Sequence, residues 1–271
     1  MCFDSKGLMV QLALMGDIML FKSKNLMDYK LHSLDGEIGR VEDFYFDDRH
    51  WAIRYLVIDT GNSLPRKKVL ISPYAFGSVN EKNREISINL RKSQIENSPS
   101  WDTDMPVSRQ FEETYNAYYG WPDYWVGSYM WGQSVVRAPF HERTGNTNEG
   151  GRQWNSHLRS MDIVRTYAIH AKDGEIGNVH DFVIDDETWA IRYLILNTHY
   201  WLPGKKVLIS PKWISKVSWE SSEVFIDITK NAMKDSPEYS NSTLLNRDYE
   251  DKLHKHYNHL GYWIDEAALI K

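Results

Sequence analysis

A block of about seventy residues occurs twice in this chain without a gap, and that repeat limits the available folds more than any other feature. DGEIG at 35–39 returns at 173–177, WAIRYL at 51–56 returns at 189–194, and KKVLISP at 67–73 returns at 205–211. The same displacement of 138 residues carries Leu64-Pro65 onto Leu202-Pro203, Ser98-Pro99 onto Ser236-Pro237 and His32 onto His170. Roughly thirty positions of the block are identical, far above what shared composition produces. Equal loop lengths in both copies mean that one fold is formed twice. The match continues into Arg109, Phe111, Glu112 and Tyr119, which fall on Arg247, Tyr249, Glu250 and Tyr257. Beyond them the register reads as slipping by a few residues, so that Gly120-Trp121 resembles Gly261-Tyr262.

Each copy reads as β. Asp35-Gly36 and Asp173-Gly174 are hairpin dipeptides, because a type I′ turn needs positive φ at both central positions. Ile38, Val41, Phe44 and Phe46 predict a strand, bulged near Gly39 where the alternation breaks. Trp51 to Thr60 is apolar on both faces from Tyr55 to Ile58 and so reads as a central strand. Val69 to Ile71 is a strand stopped by Pro73, Ile86, Ile88 and Leu90 alternate, and Ser93 to Asn97 adds a helical turn. Five or six short strands joined by tight turns suggest a small closed barrel. Phe111, Tyr115 and Tyr118, spaced i, i+4, i+7, predict a helix laid over it, and Tyr249, Leu253 and His256 repeat the spacing.

The expected organisation is therefore an N-terminal extension over 1–18, a first unit with an aromatic tail over 19–131, a linker over 132–157, and a second unit with its tail over 158–271. Gly, Asn, Thr and Arg dominate the linker, which lacks apolar periodicity. The apolar run Gly7 to Phe21 is too short for a membrane span and is interrupted by Gln11 and Asp17; no small-residue cleavage site follows, and Met19 is a candidate natural start.

Composition narrows the function classes. With 42% hydrophobic residues and a net charge of -5, the chain is neither disordered nor attracted to nucleic acid by bulk charge. A single cysteine, Cys2, excludes an internal disulfide and a cysteine-based zinc site, and the cytoplasm is the expected compartment.

The repeated block DGEIGRVEDFYFDDRHWAIRYLVIDTGNSLPRKKVLISP, with its second copy DGEIGNVHDFVIDDETWAIRYLILNTHYWLPGKKVLISP, resembles the PRC-barrel domain. That family is named for the H subunit of the photosynthetic reaction centre and includes a domain of a ribosome maturation factor. The resemblance runs from about Met19 to Trp263 and implies two tandem small β-barrels, each followed by an aromatic helical segment. The family is known chiefly for docking and assembly and has no shared catalytic residue to carry over.

Asp47-Asp48 and Asp185-Asp186-Glu187 could form metal or general-base sites, but adjacent strand carboxylates point to opposite faces, and turns capped by their own Asp side chains explain them more simply. Arg54 and Arg192 lie within apolar strands and are expected to pair with Asp43 and Asp181 or with other carboxylates on a neighbouring strand. His32 and His170 read as half-buried histidines rather than proton carriers. His254, His256 and His259 make a weak zinc motif, since His254 points away from the other two on a helix. Pro203-Gly204-Lys205-Lys206 reads as a turn with solvated lysines rather than a phosphate loop. The aromatic run after the first unit divides between core cover and a partner surface made by Tyr118, Tyr119, Trp121, Tyr124, Trp125, Tyr129 and Trp131. The expectation is a protein-interaction module without cofactor, metal or catalytic residues, its copies packed as an internal pseudo-dimer or joined in a homo-oligomer. The alternatives are an electron-transport accessory like the reaction-centre H subunit, a metal-dependent enzyme using the acidic turns, and a ribosome-linked role.

Overall fold

Alternating apolar segments bounded by Gly, Pro and Asp fold as strands, because a pleated segment buries every second side chain. The computed structural model describes residues 19–65, 68–101, 107–127, 129–132, 157–198, 201–240 and 243–269. The expected extension over 1–18 and all but the two ends of the expected linker lie outside the described residues.

The first half contains β1 (Leu20–Lys22), the helical turn α1 (Ser23–Leu26), β2 (Lys30–Ser33), β3 (Gly36–Asp47), β4 (Ala52–Asp59), β5 (Lys68–Ile71), β6 (Phe76–Asn80), β7 (Glu85–Ile88), the turn α2 (Lys92–Glu96) and the helix α3 (Arg109–Tyr119). The second half repeats that order at the same offset. It holds β8 (Leu158–Ser160), α4 (Met161–Val164), β9 (Ala168–Ala171), β10 (Gly174–Asp185), β11 (Ile191–Asn197), β12 (Lys206–Ile209), β13 (Ile214–Ser218), β14 (Glu223–Ile226), α5 (Lys230–Lys234), α6 (Arg247–His256) and a further helix α7 (Tyr262–Leu269).

The chain is mainly β and forms two seven-stranded mixed sheets. Six strands of each follow one path, β5-β4-β3-β2-β7-β6 and β12-β11-β10-β9-β14-β13. Neighbours are antiparallel except the parallel pairs β2–β7 and β9–β14. The end strands of each path are not paired with each other, so backbone hydrogen bonds among the described residues do not close a ring. The bulge expected near Gly39 is present, with a register shift between β2 and β3 at Leu31 and His32 and its equivalent in the second copy. Gly39 (φ 155°) lies so close to β4 that a Cβ would meet the Asp59 carbonyl oxygen at 2.1 Å, and at Gly177 (φ 146°) the Asn197 oxygen at 1.9 Å. Only glycine fits there.

The seventh strand of each sheet comes from the other half. β1 pairs with β10, Phe21 opposite Ile184, and β8 pairs with β3, Phe46 opposite Arg159. The repeat boundaries at 19–131 and 158–271 follow the chain, while the sheets exchange their first strands across them. Equivalent bonds hold both exchanges: Asp186 N–H donates to the Met19 carbonyl at 3.1 Å, and Asp48 N–H to the His157 carbonyl at 3.0 Å. Asp181 accepts the Ser23 hydroxyl at 2.6 Å and the Lys24 N–H at 3.2 Å; Asp43 accepts the Ser160 hydroxyl at 2.6 Å and the Asp162 N–H at 3.3 Å. Burial pushes the Asp43 carboxyl up to about 6, the hydrogen bonds opposing it only in part.

A local two-fold relation passes between Ala52 and Ala190, which bridge each other antiparallel. Ile53 N–H donates to the Trp189 carbonyl at 2.8 Å, and Ile191 N–H to the Trp51 carbonyl at 2.7 Å. Both tryptophans take left-handed backbone conformations, φ 52° and 58°, a strained state for a bulky residue that the reciprocal pairing holds in place. One continuous apolar core runs through both halves, with Phe46 and Phe182 in contact across the junction. The halves are thus packed as an internal pseudo-dimer.

Candidate functional site

The two arginines inside apolar strands mark the first buried polar cluster. In the pairing of β3 with β4, Tyr45 lies opposite Tyr55 and Phe46 opposite Ile53, which leaves Arg54 as the extra residue of a bulge; Arg192 occupies the same place in β11. A bulge re-aims the side chain it carries. Of the expected partners, Asp43 and Asp181 are therefore not used, and another carboxylate of the neighbouring strand is used in each half. Arg54 Nε donates to Asp47 Oδ2 at 2.5 Å, and Arg192 donates to Asp185 Oδ2 from Nε at 2.8 Å and Nη2 at 2.6 Å. Both pairs are buried. Burial alone would raise the Asp47 carboxyl, but Arg54 and then His50 outweigh it and hold the group at about 2. Asp47 Oδ1 also accepts the Arg49 and His50 N–H groups, and Asp185 Oδ1 those of Glu187 and Thr188, so the first acid of each run caps its turn as expected.

The aromatic tails cover these arginines. The Arg54 guanidinium lies 4.0 Å from the Tyr124 ring and 4.5 Å from that of Trp131, while Arg192 lies 3.9 Å from Tyr262. Tyr124 donates to Glu112 at 2.6 Å, Tyr262 to Glu250 at 2.9 Å; Arg109 sits 4.0 Å over Trp125 and Arg247 4.2 Å over Trp263. Tyr262 and Trp263 are therefore the equivalents of Tyr124 and Trp125 at the unbroken offset of 138, and the expected slip of register is corrected. Burial pushes the Glu112 carboxyl up to about 7 against the pull of Arg109.

The buried face of α3 is also corrected. It carries Glu112, Tyr115, Asn116 and Tyr119, with Phe111 half-buried beside Tyr115 and Tyr118 turned outward, because Tyr124 and Arg109 satisfy Glu112, and the buried positions share one side at 100° per residue. Of the seven aromatic candidates, Tyr119, Trp121, Tyr124 and Trp131 are buried, Trp125 and Tyr129 are half-buried, and Tyr118 is 42% exposed.

Other candidates are dispersed. His254 is buried, contacts Tyr193 Oη at 3.0 Å and the Leu260 carbonyl at 2.9 Å, and is pushed by burial down to about 4. His256 reaches the Ala232 carbonyl at 2.7 Å, and His259 stacks on Trp213. His32 and His170 lie 3.5 Å from Glu85 and 3.1 Å from Glu223. Lys205, expected in solvent, donates to the carbonyls of Lys234 and Ser236 and so closes the end of α5. Among the described residues no three His, Cys, Asp or Glu side chains converge as metal ligands would.

What remains open is a pair of grooves at the junction, related by the local two-fold and placed beside the exchanged strands. The first, of about 290 Å³, lies between β6 and the residues Met19, Phe21, Asp186 and Trp189. The second, of about 490 Å³, lies between β13 and the equivalent residues His157, Arg159, Asp48 and Trp51. The halves differ at several of these positions. Phe76 packs edge-on against Trp189 with ring centres 4.6 Å apart, leaving Trp189 2% exposed. Ile214 stands at the equivalent place and is smaller, so the second groove is wider and Trp51 is only half-buried. The first groove carries the acids Glu81 and Asp186; the second carries Arg159, Lys216, His157 and Trp219, with Asp48 as its one acid. Asp48 holds His157 at 3.1 Å and Arg159 at 3.0 Å, and Arg159 lies 4.2 Å over Trp219. Identities between the repeats led to the fold; the substitutions at Ser78/Lys216, Glu81/Trp219 and Phe21/Arg159 were the signal for the grooves, and reading for identity passes over them. Among the described residues no helix is long and apolar enough to cross a membrane. No protein-family model and no curated protein matches the chain.

Proposed function

We propose that this protein is a non-enzymatic association module made of two PRC-barrel-type units, and that it docks protein partners through the junction between them. The resemblance of the repeated block supports the family reading. So do the six-stranded path in each half and the short turn Pro73–Ala75 that links its end strands β5 and β6. The observation that carries the functional reading is the junction itself. Asp47, Asp43 and Glu112 are engaged in internal pairs that cap a turn, hold an exchanged strand and seat a tail. Among the described residues, two strand-lined grooves lie on one continuous apolar core, the form of site that suits docking.

Affinity capture from native cells, followed by mass spectrometry, tests this reading. The expected result is one or a few proteins retained in near-stoichiometric amount by the full chain. Retention no greater than on an unrelated chain of the same charge would overturn it.

A further inference from the structure

We propose that the wider groove receives an extended acidic segment of a partner protein, laid alongside β13. This rests on the docking reading and names its site and chemistry. Three independent observations converge. β13 ends its sheet path, pairing with β14 on one side and with no strand on the other among the described residues. An unpaired strand edge is a template for a further strand, and five residues of β13 match a peptide of about 16 Å. The groove beside that edge has about 490 Å³ of space, and its lining includes the apolar side chains of Ile214, Val217 and Trp51. Alternate side chains of an added strand would enter it.

Charge selects the partner. Lys216 is exposed on β13, while Arg159 and His157 stand on the opposite wall; Asp48 is the single acid among the lining residues. The lining thus carries Lys216 and Arg159 against the single Asp48 although the whole chain carries -5, and charges farther than about 8 Å are screened at physiological salt. Trp219, half-buried with the Arg159 guanidinium 4.2 Å over its ring, adds an aromatic side chain to the lining. The equivalent groove is an internal control. It has the same backbone frame, but Phe76 narrows it and its charged lining residues are the acids Glu81 and Asp186. An acidic segment is repelled there, so one partner segment is bound per chain rather than two.

The test is to pan phage-displayed random linear peptides against the full chain and measure a synthetic copy of the enriched sequence by fluorescence anisotropy. The expected peptides alternate Asp or Glu with apolar residues. Their affinity should fall roughly tenfold in Lys216→Glu and in Trp219→Ala, weaken with added salt, and stay unchanged in Glu81→Lys on the other groove. Lys216→Gln, with unfolding monitored in parallel, separates loss of charge from loss of fold. Enriched peptides without acidic residues, or equal affinity in Lys216→Glu, would overturn the groove assignment while leaving docking elsewhere intact. Displacement of the peptide by an oligothymidylate at equal concentration would overturn it in favour of a polyanion site. Failure of the cellular capture described above would instead remove the docking reading on which this one rests.

Discussion

Replacing Arg54 by Met should destabilise the protein strongly at neutral pH and much less in acid. Asp47 is buried, and Arg54 is the largest influence holding its carboxyl at about 2 rather than near the usual 3.9. A depressed carboxyl contributes stability above its unfolded value and loses it as pH falls through its folded one. The difference corresponds to about 2.6 kcal/mol, present at pH 7 and lost between roughly pH 4 and 2. Met in place of Arg removes this and leaves a buried carboxylate facing only turn N–H groups and His50. Breaking one side of a buried pair costs about 3–5 kcal/mol. The rings of Tyr124 and Trp131 also lose the cation they cover. Without Arg54, burial governs Asp47 and raises it, so the variant recovers stability as pH falls below about 5. Urea unfolding at pH 7 and pH 4, followed by tryptophan fluorescence, measures both effects. The double variant Arg54→Met with Asp47→Asn should recover part of the loss, since Asn keeps the turn-capping oxygen. A loss below about 1 kcal/mol, equal losses at both pH values, or no recovery in the double variant would refute the reasoning.

Asp43 titrates in the opposite sense. Its carboxyl is raised to about 6 in the folded state, so its favourable contribution is complete below about pH 4 and disappears as pH rises through 6, a change of about 3 kcal/mol. Asp43→Asn should therefore stabilise the protein at pH 8 and flatten its stability between pH 4 and 6, read from urea midpoints. Gly39→Ala should lower the melting temperature sharply, at a cost of about 2–3 kcal/mol, because the Asp59 carbonyl occupies the place of the new Cβ; a variant as stable as wild type would show that β3 and β4 can separate there. Phe76→Ile should cost about 1–2 kcal/mol, widen the smaller groove and expose Trp189, seen as a red shift and faster acrylamide quenching.

Much of the local structure was legible in the chain. Alternation and turn dipeptides placed the main repeated strands, and the glycine after Ile38 marked a bulge because backbone there meets backbone. The buried polar face of α3 was not legible from apolar spacing. Glu112 and Asn116 face inward because Tyr124, Tyr55 and Asp123, all from outside the helix, stand there to meet them beside the helix's own Arg109.

The linear order of residues by itself determined that one β unit is made twice, with equal loops and matching strands, because periodicity and turn chemistry act over a few neighbouring residues. Tertiary structure alone decided which edge each opening strand joins. A period of two states which face is buried but not whose sheet supplies it, so Leu20–Lys22 satisfies the same pattern on either half. Tertiary register likewise sent Arg54 to Asp47 instead of Asp43, since a bulge exists only between paired strands. It also made two grooves of opposite charge at a junction that neither repeat contains alone, because their walls come from segments more than a hundred residues apart.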